Sequence, residues 1–186
     1  MNYEVFKSFP TLTTERMTLQ SYEVTDVDDL FELRTDPSVT AFLDRHPAKD
    51  KSEIRTQILD TQKDFNNHKG INWTIKLKGQ NETIGYIGFW RIDHTNHRAE
   101  LGYALKKEYW RKGLMYEAAV RIINFAFDEL QVHSIMANIN PTNAGSEKLL
   151  LKLGFRKEAY FREDYFFDGK FLDSVIYGLL TSDWKT

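Results

Sequence analysis

Cysteine is absent from this chain of 186 residues. That absence removes disulfides, thiolate metal sites and a cysteine nucleophile together, so any group-transfer chemistry must use other side chains. An excess of charge of one sign is also missing: 25 Lys and Arg stand against 27 Asp and Glu, interspersed, for a formal net charge of -2. Such a balance gives no general electrostatic reason to hold nucleic acid, although it leaves room for a local basic patch. Apolar residues make up 41% of the chain, yet no run of them approaches the length of a membrane span. The opening stretch MNYEVFKSFPTLTTERM has no h-region of a signal peptide. A soluble, cytoplasmic protein with neither nucleic-acid nor membrane partners is therefore expected. Linkers, low-complexity tracts and internal repeats are lacking too, so residues 1–186 read as one domain, long enough to bury a sizeable core.

Glycine is scarce where nucleotide loops need it. The stretch EYWRKGLMYEAAVRIINFAFDEL, residues 108–130, carries apolar Ala119, Ile122, Ile123, Ala126 and Leu130 at three- and four-residue steps, the period of one buried helical face. Residues 110–115 are then a loop that opens a helix. A helix start leaves N–H groups unpaired and carries the positive end of the macrodipole, and Gly113 admits a close neighbour, so this loop can hold a phosphate. A P-loop is excluded because Lys112-Gly113 is followed by Leu114 rather than by the Ser/Thr that binds magnesium. A dinucleotide fingerprint is excluded because it needs three glycines in register. An ordinary basic helix start stays open as the plain alternative.

Around this loop the elements follow in order. Residues 17–22 alternate as a first strand; Thr25 with Asp28 suggests a capping box for a helix through Val27, Leu30, Phe31 and Arg34, ended by Asp36-Pro37. A second helix runs from about Ser52 with Ile54, Ile58 and Phe65 on one side. NWTIKL and TIGYIGFW flank the turn Gly79-Gln80-Asn81, and AELGYAL follows as a strand in which Gly102 suggests a bulge. After the loop and its helix come the strand SIMANIN, a helix from about Ser146 to Leu153 stopped by Gly154, and a final hairpin about Asp168-Gly169. The pattern predicts an α/β fold, a mixed sheet with helices on its faces. Asp93, His94 and His97 in DHTNH sit in a hairpin turn without a further ligand group, so no metal site is read there.

The loop Trp110-Arg111-Lys112-Gly113-Leu114-Met115 resembles the Gln/Arg-x-x-Gly-x-Gly/Ala segment with which the GNAT superfamily of N-acetyltransferases wraps the pyrophosphate of acetyl-CoA. It departs at Trp110 and at Met115, and the first departure is familiar from the RimJ/RimL-like branch of ribosomal-protein N-terminal acetyltransferases. TERMTLQSY, HRAELGYAL, NPTNAGSEKLLLKLGF and DGKFLDSVIYGLL resemble further segments of that branch, in order and along most of the chain. The resemblance implies a GNAT-like, mostly antiparallel mixed sheet with helices on both faces. It also implies direct transfer of an acetyl group from acetyl-CoA to an amine, with the N-terminus of a ribosomal or other protein as the first acceptor to consider. A polyamine, amino sugar or antibiotic is the alternative acceptor, and a non-catalytic acyl-CoA-binding module the alternative class.

The same resemblance puts a carboxylate at Glu100, where it can take the amine's proton; the plain alternative is an ion pair with Arg98. Tyr103 and Leu105 would offer backbone groups to the pantetheine arm, and residues Trp110, Arg111, Lys112, Gly113, Leu114 and Met115 would wrap the pyrophosphate. Asn143 would hold the arm through its amide, and Ser146 would protonate the departing thiolate, although either side chain can instead cap the next helix. Trp90, Phe42, Tyr160, Phe161 and Tyr165 are available to wall an acceptor site or to fill the core. The segment DPSVTAFLDRHPAKD, with Asp36, Asp44, Asp50, Arg45, His46 and Lys49, lies where the family builds that site and shows no decisive charge. Oligomeric state is not legible.

Overall fold

In a computed structural model, which describes residues 1–43 and 45–185, backbone pairing builds one sheet of eight strands. In chain order the elements are β1 (Leu12–Thr13), β2 (Met17–Gln20), α1 (Val27–Thr35), α2 (Pro37–Thr40), α3 (Lys51–Asn66), β3 (Ile71–Leu77), β4 (Thr83–Asp93) and β5 (Arg98–Leu105). Then follow α4 (Leu114–Asn124), β6 (Ser134–Ile139), α5 (Ala144–Lys152), β7 (Arg156–Phe167) and β8 (Lys170–Leu180). The strand order is β1-β2-β3-β4-β5-β6-β8-β7, and β5–β6 is the one parallel neighbour pair among the described strands. A parallel pair needs a crossover, and α4 supplies it by lying across one face of the sheet.

Both faces are covered, as the pattern predicts. Ala118, Ala119, Ile122 and Ile123 of α4 pack with Trp73, Ile75, Ile87, Phe89 and Leu101 in one core. Tyr22, with Val27 and Leu30 of α1 and Ile54 and Ile58 of α3, forms another, reached by Tyr86 of β4. Alternation along β5 therefore sends Ala99, Leu101 and Leu105 toward α4 and leaves Glu100, Gly102 and Ala104 facing α1 and α3. Beyond α4 the chain widens into a π turn, Phe125–Glu129, which presses Phe125 edge-on against Trp73 at 5.3 Å between ring centroids. At the β7–β8 turn Asp168 and Gly169 have φ of 48° and 77°, the doubly left-handed turn that suits a twisted hairpin.

Three local expectations are corrected. The capping box is formed by Glu23 and Asp26 rather than Thr25 and Asp28, because a 3₁₀ turn, Val24–Asp26, precedes α1. Pro37 does not only end α1: it also starts α2, whose cap is Asp36. The bulge lies on the neighbouring strand, at Trp90 of β4, opposite the step from Leu101 to Glu100, where the register jumps between Phe89 and Arg91. Gly102 itself stays in register with Gly88, and a Cβ there would sit 3.2 Å from the Trp90 ring. The glycine is the space into which the bulged indole leans.

Candidate active site

The sheet is open at its centre. β6 is hydrogen-bonded to β8 along its whole length, from Ser134↔Leu180 to Ile139↔Val175, and this pairing draws it away from β5. The parallel contact lasts from Arg98↔Ser134 to Glu100↔Met136 and then ends. From Leu101 onward β5 has a strand on one side only. The N–H of Lys106 donates to the Ile84 carbonyl at 2.8 Å, so alternation in the antiparallel pair assigns the amides of Ala104 and Gly102 to β4 as well. The amides of Leu101, Tyr103 and Leu105 consequently point into the splay. One of these groups is taken: the Trp110 indole N–H donates to the Leu105 carbonyl at 2.7 Å. The expectation for Leu105 narrows to its N–H, and Trp110 acts as a strut between loop and strand.

At the end of that open edge lies the loop that starts α4. Gly113 caps the helix with φ 77°, a left-handed conformation that suits glycine, and Arg111 holds φ 59° two residues earlier. The helix start leaves the N–H groups of Leu114, Met115 and Tyr116 without acceptors in the helix. Leu114 is buried and Met115 packs against the core, so the bulk that departs from the family pattern is turned inward. Arg111 and Lys112 are exposed, with the Lys112 ammonium 5.3 Å from the Tyr109 ring. The loop is braced by Arg16, which donates from Nη1 to the Lys112 carbonyl at 2.9 Å and from Nε to Glu117 at 2.6 Å. Burial pushes the Glu117 carboxyl up, but hydrogen bonds from Thr14 and Arg16 together hold it below its usual value. At the loop's entry, buried Lys106 gathers Asp29, Glu32 and Glu82 at 3.1, 2.6 and 2.9 Å. Neither brace is legible in sequence, because Arg16 and Glu117 are 101 residues apart.

Glu100 sits where β5 and β6 part, 7% exposed. Its partner is not Arg98, which donates instead to Ser134, but the exposed Arg91 on β4, at 3.7 Å. Register explains the exchange, since the Trp90 bulge brings Arg91 opposite Glu100. Burial raises the Glu100 pKa and Arg91 partly opposes that shift. The carboxylate is thus a stronger base than an exposed glutamate.

Across the splay, Asn143 caps α5 by accepting from the Ser146 N–H at 3.0 Å. Ser146 lies in the first turn with its backbone satisfied, so capping belongs to Asn143 and the Ser146 hydroxyl is not needed for it. The hydroxyl of Tyr103 is buried beside Ser146 yet in hydrogen-bond geometry with nothing among the described residues. Burial pushes this phenol up to about 12, against a smaller pull from Ser146. It therefore keeps its proton at neutral pH, a donor that the sequence reading, which used only the Tyr103 backbone, did not find.

Glu100, Tyr103, Asn143 and Ser146 line one cavity of about 780 Å³, which continues between α1 and α3. Trp90, Phe42 and Tyr165 also line it, whereas Tyr160 and Phe161 lie exposed on β7. Of the charged residues in segment 36–50, Arg45 reaches the cavity, while Asp36 and Asp50 cap α2 and α3; Asp44 lies outside the described residues. Arg34, read from sequence only as a helix residue, lines the cavity too.

Comparison with known proteins agrees with this geometry. Residues 16–156 match the family model described as acetyltransferase (GNAT) domain. The chain is 35% identical over 174 residues to the uncharacterized N-acetyltransferase p20 of Bacillus licheniformis, covering 94% of this chain and 98% of that one. It is 37% identical over 106 residues to the [ribosomal protein uS5]-alanine N-acetyltransferase of Escherichia coli, covering 56% of this chain and 55% of that one. A crystal structure of a GNAT-family acetyltransferase from Bacillus anthracis superposes with a TM-score of 0.82 at 25% identity, covering 92% of this chain and 98% of that one. With its loop, its splayed β5–β6 pair and its family match in agreement, the chain belongs to the acetyltransferase (GNAT) domain family.

Proposed function

We propose that residues 1–186 act as one cytoplasmic domain that transfers the acetyl group of acetyl-CoA directly to an amine, with the α-amine of a protein N-terminus as acceptor. The observation that carries this reading is the single open stretch of β5, which runs from a buried carboxylate at Glu100 to a helix start at Gly113. Its open amides match a chain that bears amides of its own, as the pantetheine arm does. The N–H groups at the start of α4 match a diphosphate, with Arg111 and Lys112 beside them. The thioester supplies an activated acetyl group, and the protein must orient it, deprotonate the amine and return a proton to sulfur. In this reading Glu100 takes the proton from the amine, an α-ammonium being only moderately acidic, with a pKa of about 8. The N–H of Tyr103, directed into the splay, would be a preorganised donor to the developing oxyanion. Ser146, with the neutral Tyr103 hydroxyl beside it, donates a proton to the departing thiolate and regains one through solvent as Glu100 gives up the proton it took from the amine. Asn143 orients α5 and, through it, Ser146.

The acceptor assignment draws on the relative named for uS5-alanine acetylation. The test is thiol release from acetyl-CoA by purified protein with peptides bearing a free or a blocked N-terminus, alongside polyamines and amino sugars. Release that requires a free peptide α-amine supports the reading. Release driven only by small amines moves the acceptor, and stabilisation by acetyl-CoA without release from any amine favours a binding module.

A further inference from the structure

Arg34 is the least explained charged group in the molecule. It projects from α1 into the cavity that holds Glu100, is 1% exposed, and uses one Nη2 bond, to the His46 carbonyl at 3.0 Å. Its Nε and Nη1 have no hydrogen-bond partner among the described residues. Tethering the segment after α2 requires only the Nη2 bond and the backbone contact in which Arg34 accepts from Ala48 at 3.2 Å. A guanidinium offers five donors in a rigid fork, and burying it with donors idle costs free energy unless an acceptor arrives. Arg45, which also lines the cavity, adds positive charge beside it, and the negative field of Glu53 acts without a hydrogen bond.

We propose that Arg34 recognises a carboxylate on the acceptor, so that the substrates are amines bearing a carboxylate near the reacting nitrogen. This rests on the acetyltransferase reading of the same cavity and narrows its substrate class. The cavity holds a buried base, Glu100, and a buried cation, Arg34; a molecule carrying both an amine and a carboxylate answers both at once. A planar carboxylate also suits a guanidinium fork, which can donate two bonds to it. A polyamine could pair with Glu53, Asp60 and Asp64, which also line the cavity, but it would leave the Arg34 donors idle. The carboxylate can belong to a free amino acid or to an acidic first residue of a peptide, and the chemistry at Arg34 is shared.

The experiment compares kcat/KM within matched pairs that differ only by carboxylate and carboxamide. One set is free L-amino acids against their amides. The other is peptides beginning with Asp or Glu against those beginning with Asn or Gln. The wild type is expected to prefer the carboxylate member of one set by on the order of 10- to 100-fold, the range of a hydrogen bond to a charged group. The set that shows the preference identifies the source. Arg34→Met should abolish it; Arg34→Lys, which keeps the charge without the fork and guards against loss of fold in the first variant, should retain part. Equal use of acids and amides, an unchanged preference in either folded variant, or spermidine acetylated as well as the acids would overturn the proposal. If no amine turns over, the acetyltransferase reading fails separately, and calorimetry with the same pairs still decides on Arg34. Tighter binding of the acid by wild type but not by Arg34→Met supports the proposal, and equal binding refutes it.

Discussion

Replacing Glu100 by Gln conserves shape and hydrogen-bonding reach but removes the ability to accept a proton. The loss of a positioned general base costs about 10²- to 10⁴-fold in rate, so kcat should fall by that much while acetyl-CoA affinity persists, since no part of the pyrophosphate loop is touched. The pH profile sharpens the test. Because the Glu100 pKa is raised by burial, the wild-type carboxyl gains its proton, and stops serving as a base, at a higher pH than an exposed glutamate would. The acid limb of kcat/KM therefore lies above the ordinary glutamate range. Arg91 opposes that rise, so Arg91→Met must move the limb further up. At 3.7 Å, and with the largely exposed Arg91 side chain screened as in water, Coulomb's law gives about 1 kcal/mol, or about a fivefold lower kcat/KM on the acid limb at low salt. The plateau at high pH should not move. In Glu100→Gln the limb should vanish, and the residual rate should keep rising through pH 8 as solvent deprotonates the amine. Steady-state kinetics from pH 5 to 10, with an acceptor found in the amine panel, reads all three profiles. Wild-type turnover in Glu100→Gln, or survival in it of the wild-type limb that lies below the amine's own rise, refutes Glu100 as the base.

Gly113→Asp should weaken acetyl-CoA at least tenfold by calorimetry, because it forces a side chain into a left-handed residue and sets a carboxylate where the diphosphate must approach; equal affinity in the folded variant removes the loop assignment. Ser146→Ala should lower kcat more than it changes KM and alter stability by less than about 0.5 kcal/mol, since the cap is Asn143. Asn143→Ala should instead cost about 1 kcal/mol in denaturant titration, as lost helix caps do. Lys106→Met removes the shared partner of three carboxylates at the loop's entry; the loss should be about 1.5–3 kcal/mol, the range of hydrogen bonds to a charged group, because Asp29, Glu32 and Glu82 keep contact with water, and an undiminished stability contradicts the brace.

Local pattern was enough for much of this molecule. The three- and four-residue recurrence from Ala119 to Leu130, the strands NWTIKL and TIGYIGFW about the turn Gly79-Gln80-Asn81, and the doubly left-handed turn at Asp168-Gly169 depend on near neighbours in the chain, and sequence alone determines them. The glycine before α4 was legible as a local motif, whereas Glu100 and the Asn-x-x-Ser segment were singled out only by the family resemblance. What each group does was decided by contacts across the fold. The Trp90 bulge turns Arg91 rather than Arg98 toward Glu100, the Trp110 indole takes the Leu105 carbonyl, and Arg16 reaches the Lys112 carbonyl from the far end of the chain. Arg34 reads in sequence as one more charge on a helix, and only the closing of α1 and α3 over the sheet buries it with donors unused. Burial and hydrogen-bond pairing are properties of the assembled surface, so the chemistry they tune appears only once the chain has folded.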